Sequence, residues 1–144
     1  MRLTLDDFKV FVEFPVHWGD MDAADHVNNL IYLRWAESSR IRFFEEVGIA
    51  TAFKPGNIAP ILGWQDCKYI FPITYPDKAI VGIRAFELLE DRVILESAVF
   101  SEKHNRLAAI SKQHIIPYNY SELKKVPLPE HWVEAIWKNM NFQK

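Results

Sequence analysis

Between residues 8 and 18 apolar side chains occupy every second position: Phe8, Val10, Val12, Phe14, Val16 and Trp18. That two-residue period predicts a strand with one buried face. Pro15 lies on the other face and has no N–H to give, which predicts an edge position or a bulge near the strand's end. At residue 27 the period changes. Val27, Ile31, Trp35, Ser39, Phe43 and Val47 recur every four residues, with Tyr32 and Ala36 beside them, and this predicts a long helix over 27–47. Ala36, Ser38 and Ser39 thin the middle of the stripe, so the helix can lie close against a curved sheet. Gly48 is placed to cap its C-terminus. Residues 51–60, with Pro55, Gly56 and Pro60, predict a loop.

Strand-like segments then recur over 61–73, 79–89, 93–101 and 107–117, separated by turn signals at Tyr75-Pro76-Asp77, Glu90-Asp91 and His104-Asn105. They predict an antiparallel meander. In 93–101 neither face is fully polar: Val93, Leu95, Ser97 and Val99 oppose Ile94, Glu96, Ala98 and Phe100. Such a strand is covered on both sides, as a central strand or one that reaches an interface. Pro127-Leu128-Pro129 opens a terminal helix whose Val133, Ile136, Trp137 and Met140 share a face, predicted to dock as a lid on the sheet. Strand, long helix and then four or more strands make an α+β layout, one sheet on one helix. That order alone fixes no function.

Composition narrows the classes. With 144 residues, 49% of them hydrophobic, the chain suits one domain over 1–144. A net charge of -2 offers no global attraction to nucleic acid or an anionic membrane, so the expected partner is a small molecule or a protein. The first residues, Met-Arg-Leu-Thr-Leu-Asp-Asp-Phe, lack the apolar core of a secretory signal, no later stretch suits a membrane span, and the default setting is cytoplasmic. The single cysteine, Cys67, has no disulfide partner and no zinc spacing, and is expected as a small buried hydrophobe. Aromatic residues at 14% fit core packing, an apolar ligand tunnel or an oligomer interface alike.

The chemistry concentrates between strand and helix. Asp20, Asp22, Asp25 and His26 precede Asn28 and Asn29, where the unpaired N–H groups of the first helical turn must point. Those amides and the helix dipole can polarise a carbonyl, while a carboxylate within reach can act as base or nucleophile. Acyl transfer needs that combination. Ordinary capping selects the same residue types, and Asp20 suits a turn-holding role. Asp20, Asp22 and His26 resemble metal ligands only weakly, with no cluster downstream, and no metal is expected.

The string Trp18-Gly19-Asp20-Met21-Asp22-Ala23, then His26-Val27-Asn28-Asn29, Tyr32, Trp35, Glu37 and Arg40, closely resembles the start of hotdog-fold thioesterases related to 4-hydroxybenzoyl-CoA thioesterase. Lys68-Tyr69-Ile70-Phe71-Pro72, Asp77 and the closing Val126-Pro127-Leu128-Pro129-Glu130 extend the likeness over nearly the whole chain. The resemblance implies a hotdog fold, a long central helix wrapped by a five- or six-stranded antiparallel sheet. It also implies an acyl-CoA thioesterase that assembles as a homodimer or homotetramer, with sites between subunits. No cofactor is implied, because coenzyme A arrives as part of the substrate. The family's catalytic carboxylate falls on Asp22, and the amide that holds the carbonyl oxygen falls near Asn29. The functional His of plant acyl-carrier-protein thioesterases falls on His26, although their Asn falls on Ala24. Asn28, Tyr32, Asp20 and Glu37 are the accompanying substrate-side candidates, Glu37 by way of a partner's site. Relatives usually carry Gly where this chain has Asp25, which bears on the turn and puts a second carboxylate near Asp22. Lys54, Lys103 and Arg106 are candidates for the coenzyme A phosphates or are simply solvated charges. An acyl-carrier-protein thioesterase and a non-catalytic acyl-thioester binder are the alternatives.

Overall fold

The computed structural model describes residues 2–49 and 58–141. Five long strands, numbered in chain order, form a curled antiparallel sheet. Val10–Pro15 (β1) lies at one edge, followed by Lys78–Leu88 (β4), Val93–Ser101 (β5), Arg106–Asn119 (β6) and, at the far edge, Ile58–Gln65 (β2). Two-residue strands at Lys68–Tyr69 (β3) and Lys124–Lys125 (β7) also pair with β6. Helix α1, Asn29–Val47, crosses the inner face, and α2, Glu130–Asn141, packs at one end of it. This is the hotdog arrangement, and its strands match the expected sheet size.

The register explains which face α1 meets. Val81, Val99 and Ala109 lie in one row across β4, β5 and β6, and Ala85, Leu95 and Gln113 lie in another. Around Val81 and Val99 pack Tyr32 and Trp35 from the first half of α1. Around Leu95 and Ala85 pack Phe43 and Phe44 from the second half, with Trp132 and Ile136 of α2. Burying an aromatic or branched side chain is worth about 1.5–3 kcal/mol, so these two clusters supply much of the drive to fold. A polar seam crosses the inner face between them: Gln113 Nε2 donates to Ser97 Oγ at 3.0 Å and to Ser111 Oγ at 2.9 Å. Ser39, fully buried on α1, returns its hydroxyl to the Ala36 carbonyl at 2.8 Å.

The sheet's outer face is covered too. Phe8 packs on Ala98, Phe100 and Leu107, joined by Leu3 and Leu5. Gly82 makes this possible, since a Cβ there would stand 2.5 Å from the Phe8 ring. Every residue of β5 is therefore buried, as its two apolar faces predict. Gly48 caps α1 with φ +79°, its N–H reaching the Glu45 and Phe44 carbonyls, also as expected.

Several boundaries differ from the periodicity. The first strand ends at Pro15, because the Asp20 carboxylate accepts the His17 N–H at 2.8 Å and closes a 3-10 turn over Trp18–Asp20. Trp18 leaves the buried face and is 75% exposed. Helix α1 starts at Asn29 rather than at Val27, whose residue is held instead by a bridge to Met21 and by its N–H on the Ile73 carbonyl. The predicted strand over 61–73 breaks in two. β2 already begins at Ile58 and takes in Pro60, which an edge strand tolerates. The rest of the predicted loop, 51–57 with Lys54, lies outside the described residues. Cys67 is half-buried rather than buried. On α2 the buried stripe is Trp132 and Ile136, while Val133 and Trp137 face outward. Neighbouring four-residue stripes on an amphipathic helix look alike until a sheet selects one. Among the described residues no helix is long and apolar enough to cross a membrane.

Candidate active site

The path from β1 to α1 is held at both ends. Val16 N–H bonds the Asp77 carbonyl and Val27 N–H the Ile73 carbonyl, both at 2.9 Å. Asp77 in turn ties the start of β4 to the β5–β6 turn, accepting from Ser101 Oγ and from the Lys103 N–H. Between these anchors the chain folds back on itself. Asp22 N–H bonds the His26 carbonyl at 2.8 Å, and Asp25 N–H bonds the Asp22 carbonyl at 3.0 Å. Closing so tight a reversal puts Asp25 in the left-handed region, φ 60°. Glycine takes that conformation at no steric cost, and Asp is among the few other residues that visit it. The turn is thus formed with Asp25 in the glycine-like conformation.

The turn presents Asp22 beside the start of α1. One carboxylate oxygen, Oδ1, accepts the Ala24 N–H at 2.8 Å, which fixes the side chain, and Oδ2 has no donor among the described residues. Asn28 caps the helix, its side-chain oxygen accepting the Leu30 N–H at 3.0 Å. The Ile31 N–H is satisfied by the Asn28 carbonyl. The Asn29 N–H is left with no acceptor among the described residues, at the positive end of a 19-residue helix.

A cavity of about 290 Å³ lies against this junction, lined by Asp22, His26, Asn29 and Tyr32 and closed by Tyr69 and Phe71. Tyr69 Oη donates to the Asn29 carbonyl at 3.0 Å. Its ring meets that of Tyr32 edge-on at 5.2 Å, and Tyr32 Oη accepts the Ile73 N–H at 3.2 Å. Burial pushes the Tyr69 phenol up to about 12, and its neighbours Cys67 and Tyr32 push the same way. Burial also raises the Tyr32 phenol, against the pull of the Ile73 N–H. Both hydroxyls therefore stay protonated at neutral pH. Arg106 stacks its guanidinium over Phe71 at 4.4 Å, which puts a cation behind one wall of the cavity. Larger cavities exist, about 480 Å³ between the end of α1 and one face of α2 and about 510 Å³ beside the N-terminal segment. Neither gathers a carboxylate, a free helix amide and phenols.

Four of the sequence candidates converge here: Asp22, His26, Asn29 and Tyr32. Asp20 and Asn28 build the junction from behind, Asp20 through His17 and through its carbonyl on the Asn28 N–H at 2.9 Å. Glu37 does not reach this cavity within the chain; it lies two turns along α1, 3.9 Å from Arg40. Among the described residues no three His, Cys, Asp or Glu side chains gather as metal ligands would. Tyr69 and Phe71 were not among the site candidates. Their segment stood out only as a family-like string, and what brings Tyr69 onto Asn29 is the pairing of β3 with β6.

A family model described as the thioesterase-like superfamily matches residues 16–136, from the end of β1 into α2. The chain belongs to this superfamily. Comparison with curated proteins found no significant match. Among solved structures, a thioesterase of Thermus thermophilus complexed with coenzyme A and zinc is 25% identical, with a TM-score of 0.80 over 95% of this chain and 98% of that one. A DHNA-CoA thioesterase of Staphylococcus aureus is 20% identical, with a TM-score of 0.81 over 92% of this chain and 91% of that one. A 1,4-dihydroxy-2-naphthoyl-CoA thioesterase of Synechocystis is likewise 20% identical, with a TM-score of 0.78 over 89% and 95%. The matched segment of this superfamily member includes the acid-bearing turn.

Proposed function

We propose that the protein is an acyl-CoA thioesterase, hydrolysing an acyl-CoA to the free acid and coenzyme A in the cytoplasm. The observation that carries this is the meeting of the Asp22 carboxylate and the unpaired Asn29 amide at one cavity. With the thioester oxygen on the Asn29 N–H, the helix terminus offsets the charge that develops there as water adds to the carbonyl carbon. Asp22 Oδ2 takes the proton from that water. Collapse of the tetrahedral adduct breaks the C–S bond, and the proton passes from Asp22 to the departing thiolate or to solvent. Direct attack by Asp22, through an anhydride that water then opens, balances equally well; water labelled with heavy oxygen leaves label on Asp22 only by that route. His26 and Tyr32 border the acyl carbon's approach, and Tyr69 holds the helix start through Asn29. Asp20 and Asn28 keep the turn and the cap in place.

Support for coenzyme A as the carrier comes from the Thermus relative solved with it and from Arg106 behind Phe71, a candidate partner for a phosphate. An acyl-carrier-protein thioester is the nearest variant, separated by offering one acyl group on both carriers. We place the active form as a homodimer or homotetramer. Among the described residues nothing pairs with the outer edge of β2, and Trp64 on that strand is 51% exposed. In such an assembly Glu37 would serve a neighbour's site.

The test is thiol release from a panel of aliphatic and aromatic acyl-CoAs. Asp22→Asn should lower the rate by about 10²–10⁴-fold, the contribution of a positioned base, without moving the melting temperature. No release from any acyl-CoA by the native protein would end the hydrolase reading. Tight binding of a non-hydrolysable analogue in that case would mark a non-catalytic binder.

A further inference from the structure

The cavity of about 510 Å³ lies between the N-terminal segment and the β5–β6 turn. Leu3, Leu5, Phe100 and Leu107 give it an apolar lining, and Arg2, Asp6, Asn105 and Arg106 bring the polar groups. Two guanidiniums against one carboxylate leave it positive. Among the described residues no carboxylate pairs with Arg2 or Arg106. Asn105 holds the turn in the left-handed region, φ 51°, and its side-chain amide has no partner among the described residues. The N-terminal wall is fixed in place. The Thr4 N–H donates to the Asp7 carboxylate at 2.8 Å, Arg84 donates to the Asp7 carbonyl at 3.3 Å, and Phe8 fills the space over Gly82. The cavity is therefore formed before any ligand arrives, which lowers the cost of binding. Residues 2–8 lie ahead of the segment shared with the superfamily, so this wall is the chain's own addition to the fold.

We infer that this cavity takes the phosphorylated adenosine end of coenzyme A, its phosphates on Arg2 and Arg106 and its adenine against Leu3, Phe100 and Leu107. The inference rests on the acyl-CoA reading of the site at Asp22 and extends it to the far end of the same substrate. The wall between the two cavities makes the link. Phe71 lines the cavity at Asp22, Arg106 lines this one, and the guanidinium lies over the ring at 4.4 Å. An arm that leaves the thioester past Phe71 comes to Arg106. Guanidiniums bind phosphate oxygens in pairs of hydrogen bonds. Asp6 accepts from the amino group of a base, and the Asn105 amide both donates to and accepts from its edge. The volume lies in the range of small-molecule sites. An acyl-carrier protein presents the same arm without the nucleotide, so occupancy here would favour coenzyme A as the carrier.

The probe is phospho-ADP, the nucleotide end of coenzyme A without its arm, titrated into full-length protein carrying labelled leucine and valine methyl groups. Saturable shifts are expected at Leu3, Leu5 and Leu107, which line this cavity, and none at Val27, which lines the cavity at Asp22. Adenosine, with the base but no phosphate, and pyrophosphate, with the charge but no base, should each bind at least tenfold more weakly. Arg2→Gln should weaken phospho-ADP at least tenfold, the loss of a charge-assisted contact. Arg2 is exposed, so this variant should fold as the native protein does. In turnover, Arg2→Gln should lower kcat/KM for an acyl-CoA at least tenfold relative to the same acyl group on pantetheine, through KM. The inference is overturned if phospho-ADP does not saturate, if Val27 responds in place of the three leucines, if Arg2→Gln binds normally, or if that kcat/KM ratio does not move. ADP bound as tightly as phospho-ADP, with the ratio unmoved, would give the cavity to a free nucleotide and overturn it too. The two readings fail separately. With no thiol release from any acyl-CoA the hydrolase reading falls while the titration still decides this one, and release without a leucine response removes this one alone.

Discussion

Asp25 is where the turn can be tested most directly. Its φ of 60° makes the usual ranking of small residues reverse. At an ordinary position Ala is more stable than Gly by about 0.5–1 kcal/mol, because Gly loses more freedom on folding. In the left-handed region a Cβ costs about 1–2 kcal/mol. Subtracting the middle of the first range from the middle of the second, Asp25→Gly should be more stable than Asp25→Ala by about 0.75 kcal/mol. Asp25→Gly itself should lie near the native protein, since Asp tolerates this region better than Ala does. For a chain of this size the difference between the two variants corresponds to a melting-point gap of roughly 1–4 °C. Urea unfolding of both, followed by circular dichroism, measures it, with an unchanged m value as the check that both unfold in the same way. The functional arm is thiol release. Asp25→Gly preserves the Asp25 N–H bond to the Asp22 carbonyl and the Asp22 N–H bond to the His26 carbonyl, so its rate should stay within a few-fold of native. Asp25→Ala more stable than Asp25→Gly would refute the left-handed turn and, with it, the placement of Asp22.

Tyr69→Phe removes the hydrogen bond to the Asn29 carbonyl and should cost about 0.5–1.5 kcal/mol in chemical denaturation, with a loss of thiol-release rate beyond that of the equally conservative Tyr75→Phe, whose side chain lies outside the cavity. The same variant carries a pH signature. The Tyr69 phenol stands above its ordinary 10.0, at about 12, so the folded state holds this proton more tightly than the unfolded state does. Its contribution is complete below pH 10 and is lost as pH rises toward 12, so native stability should fall more steeply across that window than that of Tyr69→Phe. Equal slopes would contradict it. Gly82→Ala places a Cβ within 2.5–2.9 Å of three Phe8 atoms near the root of its side chain, where a rotamer change gives little relief. The expected loss is about 1–3 kcal/mol, read as a lower melting temperature. Combining it with Phe8→Ala should recover much of the Gly82→Ala penalty, and fully additive losses would argue against the contact.

Periodicity and punctuation were enough for the main elements, because those signals are local. Alternation over Phe8 to Val16, the four-residue stripe from Ile31 to Val47, Gly48 at its end and the two apolar faces of β5 each follow from one residue's relation to its near neighbours. The acid-bearing turn was legible for the same reason: a helix N-terminus announces itself by its caps, and the Asp22 string lies directly before it. Two kinds of feature were not legible. Where adjoining stripes compete, as Trp132 and Ile136 do with Val133 and Trp137, only the sheet beneath decides which is buried. Where distant segments meet, as Tyr69 meets Asn29 or Phe8 meets Gly82, the contact depends on strand register, which no local pattern encodes. The sequence by itself thus determined a sheet on a helix with an acid poised at the helix's start. The tertiary structure decided what surrounds that acid, because a cavity is made by side chains far apart in the chain that only the packed sheet brings together.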